Sequence, residues 1–165
     1  MPFDDFRKQI GAQAKPSLDD LGKCADRYEV SLVAAILRWL EYTERRSLLV
    51  MSREGFILWA RSSASALKTG AFFKTANRPP ISIPDSSLAI ERSRLESCRG
   101  SVKHDAGVWF HEPCEEMALG SDQYDFTISL LHLDEAVSRF ELAEEPEEDA
   151  VTLMANRTLG ASWLG

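Results

Sequence analysis

Histidine and cysteine are scarce in this chain, and long apolar runs are absent. The three cysteines, Cys24, Cys98 and Cys114, are odd in number and far apart, and none forms a CxxC. That spacing argues against a zinc knuckle and fits a reduced cytoplasmic compartment. No stretch approaches the ~20 consecutive apolar residues of a membrane span, and MPFDDFRKQI lacks the apolar core of a secretion signal, so a cytoplasmic protein is expected. Zinc proteolysis needs two imidazoles one helical turn apart with a carboxylate to activate water. The single His-Glu pair is His111 and Glu112, but Glu115 stands where the second histidine belongs and Pro113 interrupts any helix. His104 and His132 are remote in sequence. No catalytic residue, metal ligand or cofactor is therefore expected. Phosphate-loop, dinucleotide and nucleophile-elbow signatures are also missing. Ser65 and Lys68 match S-x-x-K, and Lys68, Thr69 and Gly70 match K-T-G, but a serine enzyme takes these motifs from separate elements, each with its own lysine.

Charge is plentiful but unevenly placed. Residues 1–50 carry eight basic and eight acidic side chains, residues 51–100 eight and four, and residues 101–165 three and fourteen. The net charges of 0, +4 and −11 sum to the chain's −7. A DNA-binding domain usually carries a basic face because phosphate neutralisation supplies most of its affinity. The acidic total argues against that use of the chain as a whole.

The organising stretch is residues 16–61, PSLDDLGKCADRYEVSLVAAILRWLEYTERRSLLVMSREGFILWAR. Leu18, Leu21, Ala25 and Tyr28 recur at helical spacing behind Pro16 and Ser17. The pattern breaks at Glu29, Val30 and Ser31. Ser31 then reads as the N-cap of a second helix with Leu32, Ala35, Ile36, Trp39 and Leu40 on its apolar face. Val30 is placed to plug the angle of a helix-turn-helix-like pair. Residues 47–52 and 56–61 are rich in β-formers and are separated by Arg53, Glu54 and Gly55, which predicts a hairpin. Strict alternation puts Phe56, Leu58 and Ala60 on one face of its second strand and Ile57, Trp59 and Arg61 on the other.

A helix pair followed at once by a hairpin resembles the downstream half of the ImmA/IrrE family of zinc metallopeptidases and regulators. Met1 and Pro2 look like the Met-Pro at which the family's catalytic domain ends, and residues 30–34, VSLVA, look like its second-helix start. The resemblance covers roughly the first two-thirds of the chain. It implies a GAF-like or PAS-like sensor domain after the helices, an XRE-type repressor as protein partner, and a role in stress response or mobile-element control. The family's His-Glu-x-x-His signature is not in this sequence, so zinc is expected only in full-length relatives. Three functions remain open: a non-catalytic regulatory or sensor portion, a truncated form of a zinc-dependent endopeptidase that cleaves an XRE-type repressor, and a helix-turn-helix DNA-binding regulator.

Elsewhere, Phe3, Phe6 and Ile10 mark a short amphipathic segment over residues 3–13. Residues 62–74 read as a loop or a poorly formed helix, and residues 77–85, with three prolines, as an extended connector. A covering helix is expected from residue 85 or 86 to about 97, a loop at 100–106, a strand at 108–110, a charged edge strand at 111–119 and the clearest strand at 124–133. The expected class is α+β, with a helical segment (1–46), a mainly antiparallel sheet domain (47–140) and an acidic linker and tail (141–165). Partner or DNA contacts are expected from Ser31, Leu37, Arg38, Arg45 and Arg46, of which only Ser31 and the arginines hydrogen-bond. A small-ligand pocket is expected among Trp59, Phe73, Trp109 and Phe126.

Overall fold

The computed structural model describes residues 2–90, 101–121 and 125–135. Three helices come first: α1 (Phe3–Gln9), α2 (Leu18–Arg27) and α3 (Leu32–Tyr42). The cap expected at Ser31 forms, and Ser17, expected near a helix start, caps α2. Ser17 and Asp20 make a reciprocal capping box at α2, with Asp20 N–H donating to Ser17 Oγ at 3.1 Å and Ser17 N–H to Asp20 Oδ2 at 3.0 Å. Those bonds hold the Asp20 carboxyl below its usual range. At α3, Ala34 N–H donates to Ser31 Oγ at 3.1 Å.

Between α2 and α3, Glu29 adopts φ +53°, Val30 N–H donates to Ala25 O at 3.0 Å and Glu29 N–H to Asp26 O at 3.2 Å. This is a Schellman stop with glutamate in the left-handed position, and Val30 packs against the helical core as the hydrophobic partner of the motif. An L-residue there costs roughly 1–2 kcal/mol, part of which glycine returns as unfolded-chain entropy. Glu29→Gly is therefore expected to raise stability by about 0.5–1 kcal/mol in urea denaturation.

Strands β1 (Ser47–Arg53) and β2 (Phe56–Ser62) form the expected hairpin. Its two-residue turn is Glu54 (φ +51°) and Gly55 (φ +81°), the pair of positive φ values that matches the twist of antiparallel strands. A short helix α4 (Ala64–Lys68), capped by Ser63, follows, and then β3 (Ser101–His104), β4 (Cys114–Ser121) and β5 (Phe126–Leu133). The five-stranded sheet has the order β2-β1-β5-β4-β3, and every neighbouring pair is antiparallel. The fold is α+β.

Each face of the sheet has its own core. On one face α1, α2 and α3 bury Phe6, Leu21, Ile36 and Trp39 against Leu49, Met51, Ile128 and Leu130. The other face carries Leu48, Val50, Ile57, Leu131 and Leu133 beneath α4 and the connecting segments that bring in Ala71, Ile83 and Trp109. The boundary expected at residue 46 thus falls inside a shared core, and the described chain belongs to one compact unit, Met1–Glu135. The expected acidic linker and tail lie outside the described residues. No helix among the described residues is long and apolar enough to cross a membrane.

Four local expectations change. The alternation expected in β2 is broken by a bulge: Met51 pairs with Trp59 and Ser52 with Ile57, so Leu58 has no partner on β1. Ile57 and Ala60 therefore face the second core while Trp59 faces the helices. The strand expected at 108–110 is a set of turns, closed by Gly107 N–H to Phe110 O at 2.6 Å with Gly107 at φ +94°. The loop expected at 100–106 contains β3, which takes one edge and makes β4 an interior strand. Residues 85–90 make turns, with Ser87 N–H donating to Pro84 O and Ile90 N–H to Ser87 O, where the covering helix was expected to begin; its remainder lies outside the described residues.

Candidate functional site: an aromatic cleft over a buried carboxylate

The second face of the sheet gathers the chemistry. Period-two alternation on β4 sends Cys114, Glu116 and Ala118 to this face, and Glu116 is 0% exposed. An isolated buried carboxylate is strongly disfavoured unless donors surround it. Glu116 has five donors. Ser87 Oγ at 2.7 Å and Ser129 Oγ at 3.2 Å serve Oε1. His104 Nε2 at 2.6 Å, Leu88 N–H at 3.3 Å and Trp109 Nε1 at 3.3 Å serve Oε2. With a carboxylate accepting, the His104 proton sits on Nε2. One side chain thus ties β3, β5 and two connecting segments to β4. Burial pushes the neighbouring Cys114 thiol up to about 12, which keeps it out of thiolate chemistry.

Trp109 is the link from this hub to the surface. Its indole N–H is held by Glu116, and its ring meets Phe73 edge-on at 6.1 Å, while Phe73 lies 5.1 Å from Phe110. These rings line an open cleft of about 410 Å³, bordered by residues 69–73 and by residues 107 and 109–112. Arg46 braces two residues of the cleft lining, Thr69 and Glu112. Its guanidinium grips Glu112 in a two-pronged ion pair, with Nη2 to Oε2 at 2.9 Å, and also donates to Thr69 Oγ1 at 2.9 Å and Asp134 O at 2.9 Å.

Of the four aromatic residues expected to line a pocket, Phe73 and Trp109 come together here. Trp59 and Phe126 pack against the helical core on the other face. Phe72 and Phe110 complete the cleft. Glu116 was invisible as a site residue in a segment read as a charged edge strand; the small Cys114 and Ala118 two positions to either side are the one sequence signal that this face of β4 is buried.

The five expected contact residues are differently occupied. Ser31 Oγ is used as the α3 cap. Leu37 packs partly buried against the helical core. Arg38 pairs with Glu41 at 2.8 Å and lies over the Phe3 ring. Arg45 is half-buried, and its carbonyl accepts from Ser63 Oγ at 2.7 Å. Arg46, expected as an available cation beside the second helix, is 7% exposed and committed to the cleft. The histidines do not converge: His104 meets Glu116, His111 is exposed, and His132 lies on the helical face against Trp39.

Comparison with models of known protein families gives no match, and comparison with curated proteins gives none either.

Proposed function

We propose that this chain is a non-catalytic sensor and regulatory module of the ImmA/IrrE type, which binds a small, flat, largely apolar ligand in the aromatic cleft and passes its occupancy to a partner repressor of the XRE type. The observation that carries the reading is the cluster of Phe73, Trp109 and Phe110 around an open cleft, with the lining residues Thr69 and Glu112 held by Arg46 and Trp109 held by Glu116. A concave site lined by aromatic rings with a few fixed polar groups suits a planar ligand with a polar edge. The polar groups are Thr69, His111 and the Glu112 carboxylate, already neutralised by Arg46. An antiparallel sheet with helices on one face and a pocket on the other supports a GAF-like or PAS-like architecture. The capped α2–α3 pair is compatible with a helix-turn-helix-like element, and the partner reading for it rests on the resemblance.

Ligand-observed NMR with a panel of planar heteroaromatic fragments tests this. Binders are expected to shift the amides of residues 69–73 and 107–112, and Phe72→Ala with His111→Ala, both at exposed positions, is expected to weaken them about tenfold. A panel that leaves those amides unmoved, or binding indifferent to the double variant, would overturn the reading.

A further inference from the structure

The edge of the sheet at β2 has a feature unconnected with the cleft. Its first residues are covered by the chain itself: Phe56 bridges Ser82, Ile57 N–H donates to Ile81 O at 2.8 Å, and Ile83 N–H donates to Gly55 O at 2.9 Å. The cover stops where Pro79 and Pro80, which have no N–H, precede Ile81. Beyond that point no described strand lies along the outer side of residues 58–61.

Charge, proline and bulges at an edge discourage two identical edges from pairing, and this edge carries all three in Arg61, Pro79, Pro80 and the bulge at Leu58. Here the bulge turns Leu58 outward, and Leu58 and Phe56 are each 45% exposed. Together with Pro79, Pro80 and Ile81 they line a groove of about 360 Å³. Two exposed arginines flank it: Arg61 on the strand and Arg78 on the groove wall. Neither has an ion pair among the described residues. Among the described residues, backbone groups without a strand partner, an apolar groove and two arginines without an ion pair therefore share one edge.

We propose that this edge of β2 docks an extended acidic peptide from a partner protein. The peptide adds as a further strand along residues 58–61, seats one apolar side chain between Phe56, Leu58 and Pro80, and sets carboxylates against Arg61 and Arg78. Main-chain pairing supplies affinity in such strand addition, and the alternate side chains supply selectivity. The charge complementarity selects an acidic strand and discourages edge-to-edge pairing of two copies, which brings arginines together. Nucleic acid fits less well, because backbone amides and carbonyls in strand register match a peptide.

The test is selection from a random displayed-peptide library on the full chain, followed by anisotropy with the winning peptides. Enriched peptides are expected to alternate apolar with acidic residues. Arg61→Glu with Arg78→Glu is expected to weaken them about tenfold or more, and a proline in the middle of the peptide to abolish binding. Leu58→Asp is expected to act like the charge reversal, whereas Phe72→Ala in the cleft leaves peptide affinity unchanged, so the two sites succeed or fail separately. Amide exchange at residues 58–61 is expected to slow on binding. Enrichment without acidic excess, no enrichment at all, affinity indifferent to the charge reversal, or single-stranded poly(dT) displacing the peptide from this edge would overturn the proposal.

Discussion

Glu116→Ala is expected to cost about 3–5 kcal/mol, the range for removing one partner from a buried charged network. The five donors now aimed at the carboxylate lose their acceptor inside a site that is 0% exposed at Glu116 and 5% at His104. An orphaned buried donor costs roughly 1–3 kcal/mol, and partial collapse of the site keeps the total below a simple sum. Against a whole-domain stability of about 5–15 kcal/mol this is a large fraction, and equilibrium urea unfolding measures it. Glu116→Gln keeps the volume but replaces one accepting oxygen with an NH₂ donor, so Ser87, Ser129 or His104 must turn from donor to acceptor. Its expected cost is about 2 kcal/mol, the scale of a charge-assisted bond made neutral. His104→Ala combined with Glu116→Ala should cost less than the two singles added, because the partners act as a unit. A Glu116→Ala variant within 1 kcal/mol of wild type would show that solvent reaches the carboxylate and that the hub does not brace the fold.

The same hub marks the limit of what was legible in the residues alone. Local chemistry was readable. Ser17 and Ser31 start α2 and α3 by accepting from N–H groups three residues on, and Gly55 marks the hairpin turn through its freedom at positive φ. The alternation of β5 was readable in part; it places Ile128 and Leu130 towards the helices and Leu131 and Leu133 away, but both faces prove to be covered. What depended on distant partners was not readable. SVKH in β3 carries three exposed residues and one buried histidine, a pattern that only makes sense once Glu116 is known to face it. The run from Cys114 to Glu116 reads as surface because a glutamate is almost never fully buried unless paired, and its donors lie up to 29 residues away. Trp109 lies on turns, where its indole is held by a bond that no strand propensity foretells. The β2 bulge likewise depends on pairing with β1, and that shift puts Trp59 on the opposite face from Phe73 and Trp109.

Stability is also expected to fall by about 3 kcal/mol between pH 6.5 and pH 4 through His132 alone. The imidazole lies on β5 beneath the helices, 3% exposed, with Nδ1 2.8 Å from Ser47 Oγ and Nε2 3.1 Å from Pro16 O. The Pro16 carbonyl only accepts, so Nε2 carries the proton and Nδ1 accepts from the Ser47 hydroxyl. Both polar atoms of the neutral ring are therefore satisfied, and a second proton would reverse the serine bond and place a charge in a buried site closed by Trp39 at 5.6 Å. Burial pushes the imidazole down from 6.5 to about 4; the Pro16 carbonyl and the nearby Glu115 oppose the shift, while Lys15 and Arg45 reinforce it. Because the folded value lies below the unfolded one, the unfolded chain binds the extra proton first. Stability is then full above about pH 6.5, declines by up to about 1.4 kcal/mol per pH unit on acidification, and levels off below about pH 4. Asp20 and Glu115 also have lowered values, but their losses begin near the ordinary carboxylate range, below the interval from pH 6.5 to 5. His132→Gln is expected to lose stability at pH 7, because its amide cannot serve both Ser47 and Pro16, while flattening the slope over that interval. Urea midpoints at half-unit pH steps provide the measurement, and a slope that His132→Gln leaves intact would assign the acid sensitivity to another group.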